Sequence, residues 1–257
     1  MLNKYVISEL ISLIDSEFKN FKTPEGVLNK EQFDYVTQLD LCLQKKISIF
    51  INNFFPGHFI IGEEGIPLTL DLTAPTWVID PLDGTSNYLF GIPFIAVSIA
   101  YVSCGEVKSA FVYDLIHKDV YWANLGRGAF LNDSKLSSND GRRSSDFIGL
   151  SSGFIDISVC KNPGILAQLR ESGKFRIVGS QALHLCYVAS GKFRSTINFE
   201  AKIWDDIAGA LILEESGKKY EFFDGSGSAD LARLAPLGNL FSVAGESNDN
   251  VFELIDK

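Results

Sequence analysis

Two aspartates three positions apart follow a short apolar run in the segment 77–88, WVIDPLDGTSNY. A surface turn would explain the pattern by itself, because proline and the pair Asp-Gly are common in turns. The same spacing also suits a cation, since Asp80 and Asp83 can turn toward one point with the carbonyl oxygen of Leu82 between them. The segment therefore predicts either a plain reversal of the chain or a set of oxygen ligands.

Gly84 and Thr85 come next, and their types suit the binding of an anion. Glycine lets the backbone approach a ligand closely. If Thr85 opens a helix, the free N–H groups of the first turn can hold a phosphate group. One turn could then hold metal ions and phosphate together.

Further carboxylates stand at the ends of apolar runs: Glu63 and Glu64 after FIIG, and the pair Asp205 and Asp206 after Trp204. Clustered carboxylates without histidine or thiolate ligands favour hard cations, so Mg²⁺ fits better than zinc or copper. Calcium binding by an EF-hand is excluded, because D-P-L-D-G lacks the alternating acidic spacing of that loop.

The composition excludes several classes of partner. The chain has 257 residues, 46% hydrophobic and 21% charged, which suits one large domain or two tightly joined halves. Its formal net charge of −9 argues against a nucleic-acid backbone or an anionic membrane as the main partner. An anionic substrate would then need local cations, and metal ions could supply them.

Four cysteines, Cys42, Cys104, Cys160 and Cys186, lie far apart and form no C-x-x-C pair. This spacing favours reduced thiols that fill the core of a cytosolic protein over a disulfide or zinc framework. The N-terminal segment has no signal-peptide pattern, and no apolar run reaches the length of about 18 residues that a membrane span needs. A soluble cytoplasmic protein is expected.

Two amphipathic helices are predicted near the N-terminus, over residues 7–18 and 36–54, from apolar residues at helical spacing. The second begins with Thr37 and Asp40 in the arrangement of a capping box, which by itself gives both residues a structural task. Short β-branched and aromatic runs within 94–122 predict a mostly antiparallel sheet.

The polar stretch Asn132–Asp146 is the best boundary between an N-terminal half, 1–140, and a C-terminal half, 141–257, of one catalytic unit. Beyond it, two further helices are predicted to end at Gly191 and Gly217. Helix pairs that alternate with runs of strands indicate an α+β layered fold and not a regular βαβ series.

Other catalytic signatures are missing. No dinucleotide-binding G-x-G-x-x-G, no P-loop and no G-x-S-x-G nucleophile elbow occurs, and His58, His117 and His184 stand in no motif. We interpret His184 as a packed residue on an apolar helical face. A haloacid-dehalogenase phosphatase would need a nucleophilic aspartate two positions before Asp83, where the chain has Pro81.

Several motifs together resemble those of the inositol monophosphatase family over most of the chain. They are GEEG, WVIDPLDGTSNYLFGIPFIAVSIAY, IWDDIAGALILEESG, the helix start Val36-Thr37-Gln-Leu-Asp40 and the hairpin GRGAFLND. The resemblance implies an α+β protein with the layered αβαβα sandwich of the inositol monophosphatase and fructose-1,6-bisphosphatase type. It also implies a Mg²⁺-dependent phosphomonoesterase that is usually a homodimer, uses two or three Mg²⁺ ions and is often inhibited by lithium.

The resemblance also assigns roles to residues. The metal ligands are Glu63, Asp80, the carbonyl of Leu82, Asp83 and Asp205. Asp40 and Thr85 orient the attacking water, Glu64 is a neighbouring acid that supports the metal site, and Gly84 with Thr85 binds the phosphate. Asp206 receives no role. Two metal ions roughly 4 Å apart can lower the pKa of a bound water and stabilise the leaving oxygen, without a covalent intermediate.

The C-terminal half departs from the family pattern where the substrate is expected. Asn198 stands six residues before Trp204, where inositol phosphatases usually have a glutamate, and Glu200 is offset by two positions. An amide accepts weaker hydrogen bonds from sugar hydroxyls than a carboxylate does. Ser180, Gln181 and Asn198 are expected beside the non-phosphate end of the substrate, although helix capping explains Ser180 equally well.

The substrate class therefore stays open. A small phosphorylated metabolite such as inositol 1-phosphate is the first expectation. A 3′(2′),5′-bisphosphate nucleotidase, or another sugar or histidinol phosphate phosphatase of the same superfamily, is the alternative. An inactive, metal-binding regulatory homologue is more remote, because every ligand that the resemblance assigns is present.

Overall fold

The structure is a computed structural model that describes residues 2–21, 24–31, 34–65, 72–137, 145–223, 240–246 and 249–255. Within these ranges the helices are α1 Lys4–Asn20, α2 Gln38–Phe54, α3 Thr85–Phe90, α4 Ser152–Lys161, α5 Pro163–Ser172, α6 Gln181–Ala189, α7 Ile203–Glu215 and α8 Val251–Ile255. The four predicted helices correspond to α1, α2, α6 and α7.

The strands of the first half are β1 Leu28–Glu31, β2 Asp34–Val36, β3 Phe59–Gly62, β4 Thr76–Asp83, β5 Ala96–Ser103, β6 Glu106–Asp114, β7 Val120–Asn124, β8 Ala129–Leu131 and β9 Ser134–Lys135. The strands of the second half are β10 Phe147–Leu150, β11 Lys174–Arg176, β12 Ser195–Ala201, β13 Lys219–Phe223 and β14 Leu240–Gly245.

Two large sheets organise these strands. A seven-stranded sheet runs from β3 to β9 in chain order, and every neighbouring pair is antiparallel except β3 with β4. This confirms the mostly antiparallel sheet predicted from the sequence. A five-stranded sheet has the order β11-β10-β12-β14-β13, and β1 with β2 forms a separate hairpin.

Helices cover both sheets, and the alternation of side chains along β4 shows the layering. Trp77 and Ile79 join a buried cluster with α1 and α2, whereas Val78 joins a cluster with α6 and α7 on the opposite face. Tyr220 and Phe222 of the five-stranded sheet pack on the same α6–α7 layer. The helices α4, α5 and α8 cover the outer face. The predicted αβαβα sandwich is confirmed.

The main departure from the sequence prediction lies in β4. The strand was expected to stop at Asp80, but it continues to Asp83, and all eight of its residues are buried. The pairing with β5 shifts by one residue between Asp80, opposite Ser98, and Asp83, opposite Ala96. The segment is therefore a β-bulge inside a strand, a feature that re-aims side chains and is frequent next to active sites.

The cysteine prediction is only partly correct. All four thiols are free, and Cys186 is buried, but Cys104 and Cys160 are exposed and do not fill the core. Cys104 lies in the tight turn between β5 and β6, at a positive φ of 56°, where a side chain points into solvent.

The predicted boundary at 132–146 falls between the two sheets, although residues 138–144 lie outside the described ranges. Strands β3 to β8 precede it, the short β9 lies within its first residues, and the strands of the five-stranded sheet all follow it. Among the described helices, none is long and apolar enough to cross a membrane.

Candidate active site

The β-bulge of β4 places two acids next to each other. Asp80 and Asp83 are 2% and 8% exposed, so both carboxylates are largely removed from water. Asp80 Oδ1 accepts a hydrogen bond of 2.9 Å from the backbone N–H of Leu82, which folds the bulge back on its own side chain. The Leu82 side chain is in the core, so its carbonyl is the part of the residue that can serve the site.

Gly84 forms the link between this bulge and α3. Its φ is +93°, and a Cβ there would lie 2.7 Å from the carbonyl oxygen of Phe94. Only glycine fits both constraints. The prediction that Thr85 opens a helix is confirmed, since α3 begins at that residue.

Asp40 combines the two roles that the sequence left in competition. It returns to the start of α2 as in the predicted capping box, where its Oδ2 accepts from the N–H of Thr37 at 2.9 Å and from the Thr37 hydroxyl. Its other oxygen, Oδ1, accepts from the hydroxyl of Thr85 at 2.9 Å. The Thr85 hydroxyl is also 3.0 Å from the carbonyl oxygen of Leu82. Burial raises the pKa of Asp40, and the hydrogen bonds from the two threonines oppose this.

Glu63 and Glu64 follow β3, and α2 holds them in place. The side chain of Gln44 accepts from the backbone N–H of Glu64 at 2.9 Å and donates to its carbonyl oxygen. The ammonium group of Lys30, on the β1–β2 hairpin, lies 2.9 Å from Glu63 Oε1 and also contacts Glu64. No pattern in the sequence had pointed to Lys30.

Asp205 reaches the same place from the other half of the chain. It lies in the first turn of α7, where its Oδ2 accepts from the N–H of Lys202 at 2.7 Å. The hydroxyl of Ser98, in the seven-stranded sheet, donates to the carbonyl of Trp204 at 3.1 Å and ties the start of α7 to β5. The two halves of the chain therefore meet at this acid.

We call Glu63, Asp80, Asp83 and Asp205 the acid cluster. Burial raises the pKa of each, to about 6 for Glu63 and Asp83 and well above the ordinary range for Asp80 and Asp205. The charges of Glu63, Asp83 and Asp205 raise the pKa of Asp80 further. Such mutual repulsion among buried oxygen donors is what a hard cation relieves.

The acid cluster thus fits Mg²⁺ by the chemistry of its donors and by its charge. In the described part of the chain, however, no three Asp, Glu, His or Cys side chains already stand in the arrangement of a metal-coordinating group. Each acid instead has a hydrogen bond or an ion pair from the protein, such as Lys30 on Glu63 and Leu82 on Asp80. A cation would draw these oxygens away from some of those partners.

The first turn of α6 holds Asp83. The Ser180 hydroxyl donates to Asp83 Oδ2 at 2.6 Å, the N–H of Ala182 donates to the same oxygen at 2.7 Å, and the N–H of Gln181 donates to Oδ1 at 3.3 Å. Ser180 is the N-cap of α6, as its capping interpretation predicted. These bonds lower the pKa of Asp83 against the effect of burial.

Below α6 lies a second buried acid, Asp206, to which the sequence gave no role. Its Oδ1 accepts from Gln181 Nε2 at 2.6 Å and its Oδ2 from the Tyr220 hydroxyl at 2.7 Å. The hydroxyl of Ser242 lies 3.4 Å from the same Gln181 nitrogen. We call Asp206, Gln181, Tyr220 and Ser242 the support network. In the sequence, the only sign of this network is the second aspartate of the pair Asp205-Asp206.

A cavity of about 270 Å³ opens beside the acid cluster. Its wall includes Asp83, Asp205 and the three residues predicted to face the substrate, Ser180, Gln181 and Asn198. Ser151, Ser152 and Gly153, at the start of α4, also line it, and the sequence analysis missed them although Ser151 has the N-cap signature.

His184 also lines this cavity and is only 2% exposed, in line with its interpretation as a packed residue. Its Nε2 lies 3.4 Å from the N–H of Val178, and burial lowers its pKa to about 4. The ring is therefore neutral near pH 7. Among the described residues, its Nδ1 and the Oε1 of Gln181 have no hydrogen-bond partner.

The sequence profile of the inositol monophosphatase family matches residues 3–250. The chain belongs to the inositol monophosphatase family. It is 36% identical over 209 residues to the Nus factor SuhB of Pseudomonas aeruginosa, covering 78% of this chain and 77% of that protein. It is also 32% identical over 192 residues to a fructose-1,6-bisphosphatase/inositol-1-monophosphatase of Thermotoga maritima, covering 75% and 73%.

Solved structures of similar proteins share the fold, and some of them contain metal ions. An IMPase/NADP phosphatase complexed with Mg²⁺ and phosphate superimposes with a TM-score of 0.83 at 25% identity, covering 98% of this chain and 93% of that one. A complex of such an enzyme with NADP and Ca²⁺ is also known. Family membership and these structures support a phosphatase that depends on divalent metal ions.

Proposed function

We propose that this protein is a Mg²⁺-dependent phosphomonoesterase that hydrolyses a small phosphorylated metabolite such as inositol 1-phosphate. The observation that carries the proposal is the acid cluster: its carboxylates come from both halves of the chain, their charges raise the pKa of Asp80 and Asp205, and two of them, Asp83 and Asp205, line a cavity. Family membership supports the same reaction class.

In this proposal Glu63, Asp80, Asp83, Asp205 and the carbonyl of Leu82 hold the metal ions, and Glu64 supports Glu63. Bound divalent ions supply a water of lowered pKa and positive charge for the phosphate. The charge also explains how a protein of net charge −9 can bind an anion.

The protein's own part in catalysis is to position the water and the phosphate. Because the Thr85 hydroxyl donates to Asp40, its oxygen can accept a hydrogen bond from the attacking water, and as the water loses a proton to Thr85, the hydroxyl proton of Thr85 would pass to the Asp40 carboxylate. Asp40 remains fixed by Thr37, so the pair keeps its orientation. Gly84 is in the left-handed conformation at the start of α3, and in this proposal the backbone N–H groups of that turn would hold the phosphate.

The decisive experiment is a panel of phosphomonoesters assayed with Mg²⁺ and again after EDTA treatment. Suitable members are inositol 1-phosphate, adenosine 3′,5′-bisphosphate, fructose 1,6-bisphosphate and histidinol phosphate. We expect Mg²⁺-dependent release of phosphate from at least one. Hydrolysis of none would overturn the proposal in favour of an inactive, metal-binding homologue.

Asn198 offers a test of the substrate. It is 5% exposed in the cavity wall, where a carboxylate would accept stronger hydrogen bonds from sugar hydroxyls. We expect Asn198→Glu to raise kcat/KM for inositol 1-phosphate relative to the bisphosphates by about tenfold. This factor corresponds to the free energy of one hydrogen bond to a charged group. Unchanged ratios would remove this residue from the choice of substrate.

A second function, that of a Nus factor, has one observation in its favour, the name of the relative from Pseudomonas aeruginosa. The formal net charge of −9 argues against direct contact with a nucleic-acid backbone, so a protein surface would be the partner. Binding to purified RNA polymerase, compared between the native protein and Asp80→Asn, would separate such a role from catalysis.

We further propose that the protein is cytoplasmic, as its cysteine spacing indicates, and a homodimer, as the resemblance to the family implies. Large apolar side chains that stay exposed support a contact surface, among them Phe90 at 73% and Ile177 at 56%. Light scattering after gel filtration would decide, and a monomer at micromolar concentration would contradict this part of the proposal.

A further inference from the structure

Asp206 is an unusual residue for the position it occupies. Its side chain is completely buried, and its hydrogen-bond partners, the Gln181 amide and the Tyr220 hydroxyl, are neutral. A buried carboxylate that is not paired with a cation is expensive compared with an apolar residue of the same size. A reason other than packing is therefore needed.

The hydrogen bond from Gln181 links Asp206 to the acid cluster. Gln181 is the first residue of α6, and its backbone N–H donates to Asp83 while its side chain donates to Asp206. The flanking Ser180 hydroxyl and Ala182 N–H also donate to Asp83, at 2.6 and 2.7 Å. One helical turn is thus attached to Asp83 on one side and to Asp206 on the other.

The two attachments differ in what would loosen them. If Asp83 moved to hold a cation, the first turn of α6 would move with it, because Ser180, Gln181 and Ala182 donate to its carboxylate. Asp206 would resist that movement, because its Oδ1 accepts a hydrogen bond of 2.6 Å from Gln181 Nε2. Tyr220 and Ser242 belong to paired strands of the five-stranded sheet, so the hydrogen bonds of Asp206 and Gln181 connect the first turn of α6 to that sheet.

We propose that Asp206 is a positioning residue for the metal site, which fixes Gln181 and, through it, the first turn of α6 that orients Asp83. The inference rests on the proposed function, since it treats Asp83 as a metal ligand. It makes Asp206 a supporting group behind the residues that hold a ligand, and such groups commonly tune metal affinity.

The test is calorimetric titration of the full-length protein with Mg²⁺ and Ca²⁺. We expect Asp206→Asn to raise the Kd for Mg²⁺ by about tenfold, the lower end of the effect of outer-shell partners. Tyr220→Phe, which leaves the bond to Gln181 in place, should raise it less. In assays, kcat should recover at saturating Mg²⁺, because the acid cluster itself is intact.

A coupled variant and a matched control make the test specific. If Asp206 acts through Gln181, then Gln181→Met combined with Asp206→Asn should weaken Mg²⁺ binding no more than one change alone. Asp249→Asn is the control, since Asp249 is buried and paired with Arg194 at 2.8 Å outside the site. It should lower the melting temperature and leave the Kd for Mg²⁺ unchanged.

A Kd for Mg²⁺ equal to that of the native protein in Asp206→Asn, with a melting temperature lowered as in Asp249→Asn, would overturn the inference. If Asp206→Asn does not fold, Tyr220→Phe decides, and an unchanged Kd there overturns it too. Failure of the native protein to bind Mg²⁺ would overturn the proposed function itself, so the two failures are distinguishable.

Discussion

The acid cluster and the support network are neighbours, since Asp205 of the one and Asp206 of the other are adjacent in α7. Both contain buried aspartates, but the groups that surround these aspartates differ. In the acid cluster, carboxylates face carboxylates, and each raises the pKa of Asp80. In the support network, Asp206 faces an amide and two hydroxyls. Burial alone therefore says little about function. The partners of a buried acid separate a site that calls for a cation from a site that is already satisfied.

The strongest way to break the comparison is Asp80→Asn. We expect at least about a 1,000-fold loss of phosphatase activity, of the order of several kcal/mol, because the proposed metal site loses one negative charge. In EDTA the same change should raise the melting temperature, since it relieves repulsion with Glu63, Asp83 and Asp205. In the support network, Asp206→Asn should lower the melting temperature, and it should lower activity only when Mg²⁺ is below saturation.

Calorimetry and kinetics on the same sample check this pair. The native protein should melt at a higher temperature with Mg²⁺ than with EDTA, and Asp80→Asn should lose most of that difference. Full activity of Asp80→Asn at saturating Mg²⁺ would refute the assignment of the acid cluster.

Asp40 is an intermediate case, because it is buried like Asp206 yet belongs to the proposed reaction. We expect Thr85→Val to lower kcat by about 100-fold, as for a group that positions a proton transfer. Thr85→Ser keeps the hydroxyl that donates to Asp40 and should retain most of the activity. Equal kcat values for the two variants would show that the hydroxyl has no part in the reaction.

The pH dependence of stability sharpens the comparison, because a falling pH removes stability at His184 and adds stability at Glu63 and Asp83. Burial lowers the pKa of His184 to about 4, so its contribution to stability is complete above about pH 6.5 and is lost as the pH falls toward 4. Glu63 and Asp83, with pKa values raised to about 6, instead stabilise the fold as the pH falls.

His184→Gln removes the titrating group and keeps a polar side chain. Between pH 6 and pH 4.5 the native protein should lose about 2 kcal/mol of unfolding free energy more than this variant does. Urea unfolding at the two pH values measures the difference. Parallel losses in both proteins would mean that His184 is protonated in the folded state.

The smallest effect is expected at an acid outside both regions. Glu215 accepts from the N–H groups of Gly126 at 2.7 Å and Gly128 at 2.6 Å, and so holds the β7–β8 turn to the end of α7. We expect Glu215→Ala to cost about 1 kcal/mol of stability and to leave the Mg²⁺ dependence of activity unchanged. A shifted Mg²⁺ dependence would mean that acids act on the site over long distances.

Local signals in the sequence predicted the first two helices and the start of α3, whereas the resemblance to the family implied the layered sandwich. Apolar spacing determined α1 and α2, and the turn chemistry around Gly84 determined the start of α3. The bulge in β4 was missed, because a register shift depends on the neighbouring strand and not on the segment itself. The roles assigned to the predicted site residues remain predictions.

Residues that lack a motif could not be predicted in the same way. Lys30, on the β1–β2 hairpin, meets Glu63 at the end of β3, and Asp206 in α7 meets Tyr220 in β13. Both contacts join positions whose spacing in the chain carries no periodic signal. The start of α4, which lines the cavity, could have been predicted from the sequence, since Ser151 carries an N-cap signature.

The hydrogen bonds at the start of α6 have a consequence for isotope exchange. Amide hydrogens in the first turn of a helix lack a partner within the helix and usually exchange quickly with solvent deuterium. The amides of Gln181 and Ala182 are instead bonded to the carboxylate of Asp83. Their deuterium uptake therefore follows the state of that carboxylate, and these two amides form a built-in reporter that can be read without substrate or assay.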